Sequence, residues 1–210
     1  MERRGNGDTF AEIYAEFYRP LESEKIEGLV RILCNRTDET NISVCLERAK
    51  TKGWDLNCNE VYPNLFISDA EAAKNIEYLK EIGVTHVLNT AEGDRFGMVN
   101  TNADYYKGSG IKYLGLPLKD LPTESISKYF HQAADFIDEG LASGGKVVVH
   151  CVMGISRSSS CTIAYLMIKK RMTVQEAIQQ VKNHREIRPN NGFLMQLAEL
   201  DKMLKLKSKS

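Results

Sequence analysis

The sequence predicts an α/β fold whose sheet is covered by helices on both faces. Three observations carry this. From Asn59 onward, short apolar runs of strand character alternate with longer stretches of helical periodicity. One run, "KVVVH" at 146–150, is continuously apolar, the pattern of a strand buried on both faces. The runs are separated by helix-ending and turn signals at Gly83, Gly144-Gly145 and Asn190-Asn191-Gly192.

The elements follow in order. Residues 1–56 read as an N-terminal helical extension of unknown role. Phe10, Ile13, Tyr14 and Phe17, then Ile26, Leu29, Val30 and Leu33, then Ile42, Cys45, Leu46 and Ala49 fall at helical spacing. Packing on the rest of the chain, partial disorder and docking to a partner all remain open for them. Residues 57–205 form the main domain, and 206–210 a basic, frayed tail. Within the domain, "EVYPNLFIS" predicts two short strands around a Pro-Asn turn. Ser68 is expected to cap one helix through Ala73, Ile76 and Leu79, with Glu71 as its capping-box partner and Gly83 as its stop. "THVLNT" and "IKYLGL" are strands; residues 92–110 between them are loop with a short helix at "NADYYKG". After the loop "PLKDLPTES", Ile126, Tyr129, Phe130, Ala133, Phe136, Ile137 and Leu141 mark one helical face. Three more helices follow "KVVVH": one on "SSSCTIAYLMIKK", one opened by Thr173 with Glu176, one after the Asn190-Asn191-Gly192 break.

Composition narrows the function. Lys plus Arg and Asp plus Glu both number 28, so no global field favours nucleic acid or a membrane surface. The first thirty residues carry charges throughout, and Glu2 follows Met1, so neither a signal peptide nor N-myristoylation is expected. No apolar stretch approaches the roughly 20 residues of a spanning helix. The five cysteines include no CxxC pair, so neither a zinc site nor a thioredoxin-like motif is expected, and a reduced intracellular setting fits. Cys34, Cys45, Cys58 and Cys161 read as small buried hydrophobes.

Cys151 reads differently. It follows a buried strand and opens the turn "CVMGISRS", which leads into a helix. Backbone N–H groups of Val152, Met153, Gly154, Ile155 and Ser156 in such a turn converge on an anion, and the helix N-terminus adds to their field. Both stabilise a thiolate. Gly154 permits the close turn, Arg157 offers a bidentate grip on phosphate oxygens, and the Ser158 hydroxyl assists the departing thiolate. His150 is expected to orient the loop rather than to act as base.

His-Cys, two residues, Gly, two residues and Arg-Ser between a strand and a helix resembles the signature of the protein tyrosine phosphatase superfamily. "VTHVLNTAEG", "VNTNADYYK", "IKYLGL" and "YFHQAADFID" before it, and "AYLM", "EAIQQVK", "REIRPNNGF" and "QLAELD" after it, resemble the small dual-specificity phosphatases of the vaccinia H1-related type. The resemblance covers about residues 58–204 and makes 57–205 a catalytic domain. It implies a three-layer sandwich, with a central, mostly parallel sheet of about five strands flanked by helices. It implies Asp120 in "YLGLPLKDLPT" as the general acid, no metal or cofactor, phosphoprotein substrates with mitogen-activated protein kinases suggested, and a signalling role in the cytoplasm or nucleus. It offers Arg185 for a second phosphate pocket, against an exposed helix-end arginine; Arg188 adds charge nearby. Glu92 and Asn100 are loop or turn residues, and Tyr105 and Tyr106 rim or core. Asp135 and Asp138 belong to a solvated helix face. Apolar Val152, Met153 and Ile155 leave substrate preference open. Two alternatives stand beside the enzyme: a catalytically weak phosphoprotein-binding module, and a phosphatase for a non-protein phosphate such as a phosphoinositide.

Overall fold

A computed structural model describes residues 56–207. The three helical stretches of the extension, with Cys34 and Cys45, and the tail beyond Lys207 lie outside the described residues.

Strands β1 (Cys58–Tyr62) and β2 (Leu65–Ser68) form an antiparallel hairpin. Its turn needs a left-handed residue, supplied by Asn64 at φ 61. Strands β3 (Val84–Asn89), β4 (Lys112–Gly115) and β5 (Lys146–His150) complete a five-stranded sheet in the order β1-β2-β5-β3-β4, parallel except at the hairpin. β5, the apolar run, is central. Ser68 and Asn89 both stand opposite His150, so β2, β3 and β5 end together at one edge.

Alternation along the strands divides the core. Leu65, Ile67, Leu88, Val147 and Val149 face one layer of helices: α3 (Phe130–Ala142, entered through a 3-10 turn at Ile126–Tyr129), α4 (Arg157–Lys170), α5 (Val174–Lys182) and α6 (Asn191–Lys207). Phe66, Val87 and Val148 face the other layer, with Tyr78, Leu79, Ile82 and Tyr106. α4 is buried from Arg157 through Met167. Its small Ser158, Ser159, Ser160 and Cys161 let neighbouring elements approach closely. Thr173 and Glu176 form the expected reciprocal cap of α5. No helix among the described residues is long and apolar enough to cross a membrane.

Three local expectations are corrected. Ser68 stays in the β2 ladder opposite His150, and Asp69 is the cap, accepting from the Ala72 N–H at 2.9 Å. The expected single helix is two, α1 (Ala70–Lys74) and α2 (Ile76–Glu81), because the Asn75 side chain accepts from the Tyr78 N–H and starts a new helix. The short helix at "NADYYKG" is a series of turns, with Gly108 and Gly110 in left-handed conformations.

Candidate active site

The candidate loop runs from Cys151 to Arg157 at the strand edge just described. Its carbonyls are all held on the outside. That of Cys151 lies 3.2 Å from His150 Nδ1. Val152 O accepts from Ala70 N, and Ile155 O from Arg188 N, each at 3.0 Å. Arg185 donates to Met153 O at 3.0 Å and to Gly154 O at 2.7 Å. A trans peptide plane points its N–H opposite its C=O. The N–H groups of Val152 through Ser156 therefore turn inward and form the anion cradle. Gly154, at φ +69, lies against the Ser68 carbonyl, which would stand 2.4 Å from any added Cβ.

Cys151 is 2% exposed, and its Sγ receives the Gly154 N–H at 3.2 Å with Ser158 Oγ at 3.5 Å. Burial alone pushes the thiol up. The Ser158 hydroxyl and N–H, the Arg157 charge and the Ile155 N–H outweigh it, and the net direction is down. Arg157 is 4% exposed. Its Nη1 is anchored to Gly97 O at 2.9 Å and Leu118 O at 3.0 Å, while Nε is buried without a hydrogen-bond partner. An unsatisfied buried donor is costly, and it leaves Nε able to donate to an anion. Desolvation lowers the His150 pKa to about 4 against a weaker upward pull from the Cys151 carbonyl, so the ring is neutral at pH 7.

The loop after β4 carries Asp120 to the rim of this cradle. Its Oδ2 lies 3.7 Å from Arg157 Nε. Its Oδ1 accepts from Ser156 Oγ at 2.7 Å and from Asn190 Nδ2 at 2.8 Å. A groove of about 380 Å³, lined in part by Asp69, Lys74, Met98, Val152 and Met153, opens beside the loop.

Of the two readings of Arg185, the exposed helix-end arginine is corrected. It is 6% exposed, so it is no surface arginine. Besides the two loop carbonyls it donates to Asn57 Oδ1 at 2.8 Å and Asn59 Oδ1 at 2.6 Å. All three guanidinium nitrogens donate to groups behind the loop, so Arg185 braces it. The Arg188 side chain is exposed beside Glu186. Glu92 accepts from Tyr113 OH at 3.1 Å and packs over Gly115; Asn100 is exposed; Tyr106 is core, and Tyr105 bonds the Lys74 carbonyl. Asp135 and Asp138 pair with Lys169 on the surface. Cys161 is buried as expected; Cys58 is half-buried, its thiol pushed up to about 12 mainly by desolvation. Asn190 and the bracing role of Arg185 escaped sequence reasoning. Asn190 stood in the sequence as part of a helix break, and nothing local marked its reach to Asp120.

Comparison with known proteins bears on the family and the fold. The family described as dual specificity phosphatase, catalytic domain, matches residues 65–203. Dual specificity protein phosphatase 26 of Bos taurus is 44% identical over 150 residues, covering 71% of this chain and 69% of the relative. That of Mus musculus is 36% identical over 206 residues, covering 98% and 86%. Among solved structures, the human tyrosine phosphatase-like serine/threonine/tyrosine-interacting protein superposes with TM-score 0.63 at 33% identity, covering 70% of this chain and 97% of that one. Human DUSP28 superposes with TM-score 0.61 at 28% identity, covering 70% and 95%.

Proposed function

The chain belongs to the dual specificity phosphatase family, and from that premise we propose that it hydrolyses phosphotyrosine, phosphoserine and phosphothreonine in proteins through a cysteinyl-phosphate intermediate. The observation that carries the reading is the cradle itself: a thiol with a lowered pKa beneath inward N–H groups and an Arg157 Nε that has no hydrogen-bond partner.

The Cys151 thiolate attacks phosphorus. An S–P bond forms as the P–O bond to the substrate side chain breaks, and Asp120 gives its proton to the departing oxygen. The loop N–H groups and Arg157 hold the equatorial oxygens, where charge is greatest in the transition state. Water then attacks phosphorus, Asp120 takes its proton, and the S–P bond breaks to release inorganic phosphate. Ser158, 3.5 Å from Sγ, donates to the thiolate as it leaves. His150 stays neutral and holds the Cys151 carbonyl outward. The proposal extends to mitogen-activated protein kinases as substrates, supported by the resemblance in sequence, and to action in the cytoplasm or nucleus, where the thiol stays reduced.

The test is hydrolysis of p-nitrophenyl phosphate and of singly phosphorylated peptides in the presence of chelator, beside capture of phosphoproteins by Cys151→Ser. The expected result is turnover by the native chain, none by the variant, and retained capture of phosphorylated mitogen-activated protein kinases. Native binding of phosphopeptide without turnover would establish a binding module instead. Turnover by Cys151→Ser would remove the cysteinyl-phosphate.

A further inference from the structure

Asp120 touches the cradle through one oxygen and the protein through the other, and the hydrogen-bond network settles which is which. The Phe193 N–H can only donate, and Asn190 Oδ1 lies 3.1 Å from it. The Asn190 amide is thereby oriented, with Nδ2 toward Asp120 Oδ1 at 2.8 Å. The Asn190 N–H also can only donate, and it reaches Ser156 Oγ at 3.3 Å. Ser156 therefore accepts there and has its single hydrogen left for Asp120 Oδ1, at 2.7 Å. Two donors of fixed polarity converge on one carboxyl oxygen.

From this the geometry points to Asn190 and Ser156 as positioning residues for general acid catalysis. They claim Oδ1 as the carbonyl-type oxygen of the protonated acid and so put the transferable proton on Oδ2. Oδ2 is the oxygen beside Arg157 Nε, the guanidinium that the proposed mechanism places on the substrate phosphate. In the second step the same Oδ2 receives the proton from water, while Oδ1 keeps both donors throughout.

The surrounding contacts fix this arrangement before any substrate arrives. A Cβ on Gly192 would stand 1.8 Å from the Pro122 carbonyl, so the acid loop rests directly on the start of α6. Gln196, one turn further on, bonds the Ser127 N–H and the Glu124 carbonyl, each at 2.9 Å. The helix that carries Asn190 at its head thus also carries the loop that carries Asp120. Preorganisation of this kind is how positioning becomes rate.

The inference rests on Asp120 being the general acid, and the experiment separates the two. Full-length native protein, Asp120→Asn, Asn190→Ser, Ser156→Ala and Asp120→Asn/Asn190→Ser are assayed on two aryl phosphates. Phenyl phosphate, a poor leaving group, needs the acid; 2,4-dinitrophenyl phosphate does not. Serine at 190 keeps an oxygen to cap Phe193 but cannot reach Asp120. General acid–base catalysis supplies about 10²–10⁴-fold in total. Losing one of two restraints should lower kcat/KM, which reports formation of the cysteinyl-phosphate and not its hydrolysis, about tenfold on phenyl phosphate and leave that of the dinitrophenyl ester within about twofold. In the Asp120→Asn background, Asn190→Ser should change neither rate by more than about twofold, because its route to the chemistry is already gone. Equal losses on both esters, or an unchanged penalty in the Asp120→Asn background, would overturn the positioning role. Ser156→Ala repeats the test with the bond from the Phe193 N–H to the Asn190 side chain left in place, while removing the acceptor of the Asn190 N–H. If Asp120→Asn itself slowed both esters equally, the acid assignment would fall first; if it spared the activated ester and the Asn190 and Ser156 variants did not, the positioning inference alone would fall.

Discussion

Gly154→Ala probes how far catalysis depends on a single backbone geometry. The residue sits at φ +69, where an L side chain costs about 1–2 kcal/mol. Its Cβ would stand 2.4 Å from the Ser68 carbonyl oxygen and 2.5 Å from Arg185 Nη2. Neither neighbour can yield cheaply: Ser68 is locked opposite His150 in the central ladder, and Arg185 moves only by releasing the Met153 and Gly154 carbonyls. The loop itself must shift, by roughly 1 Å to regain ordinary contact. That displacement carries the Gly154 N–H away from Cys151 Sγ, which it reaches at 3.2 Å. A misplacement of this size costs about 100-fold, so kcat/KM should fall about that far. Strain and overpacking together remove about 2–4 kcal/mol, a drop in Tm of roughly 5–15 °C. The thiolate loses a donor, so alkylation by iodoacetamide at neutral pH should slow in parallel. Initial rates on p-nitrophenyl phosphate, alkylation rates and a thermal melt measure all three. A variant within threefold of native kcat/KM and with native alkylation would refute the claim that the cradle needs this conformation.

Two further perturbations follow from the same loop. Burial first of all lowers His150 to about 4, whereas the unfolded chain takes up that proton near 6.5. The unfolded state therefore binds more protons between these values, and stability rises with pH across the window; acidification from 6.5 to 4 should cost roughly 3 kcal/mol, and urea titrations should show that slope flattened in His150→Gln. An identical slope in both proteins would show that the ring titrates normally. Arg185→Lys cannot reproduce four fork-directed bonds. It should lower Tm by about 5 °C and kcat on monophosphate substrates about tenfold. A rise in KM confined to doubly phosphorylated peptides would instead mark a phosphate pocket.

What the sequence disclosed was local in origin. The β5 run, the Gly-containing turn and the head of α4 are consecutive, so Cys151, Arg157 and Ser158 could be placed together from their order alone. The Thr173–Glu176 cap is a pattern of four residues and formed as expected. Where a tertiary partner competed, the reading slipped. Ser68 has a capping side chain, but β5 pairs with its backbone, and the cap moved to Asp69. The sequence leaves Arg185 between a phosphate pocket and an exposed helix end because Asn57, Asn59 and the loop carbonyls that bury it are remote in sequence. Asn190 lies 70 positions from Asp120, and no spacing rule joins them.

The strand order has a consequence for how the chain is made. β5 is the last strand to be synthesised yet occupies the middle of the sheet, between β2 and β3. Until residue 150 leaves the ribosome, β2 and β3 have no strand to join them, and any pairing within β1-β2 or β3-β4 would offer an unsatisfied edge to neighbouring polypeptides. The strand that joins β2 to β3 delivers the nucleophile in the next residue, Cys151. Closure of the sheet and assembly of the reactive thiol are therefore a single event, and truncated translation products lack both.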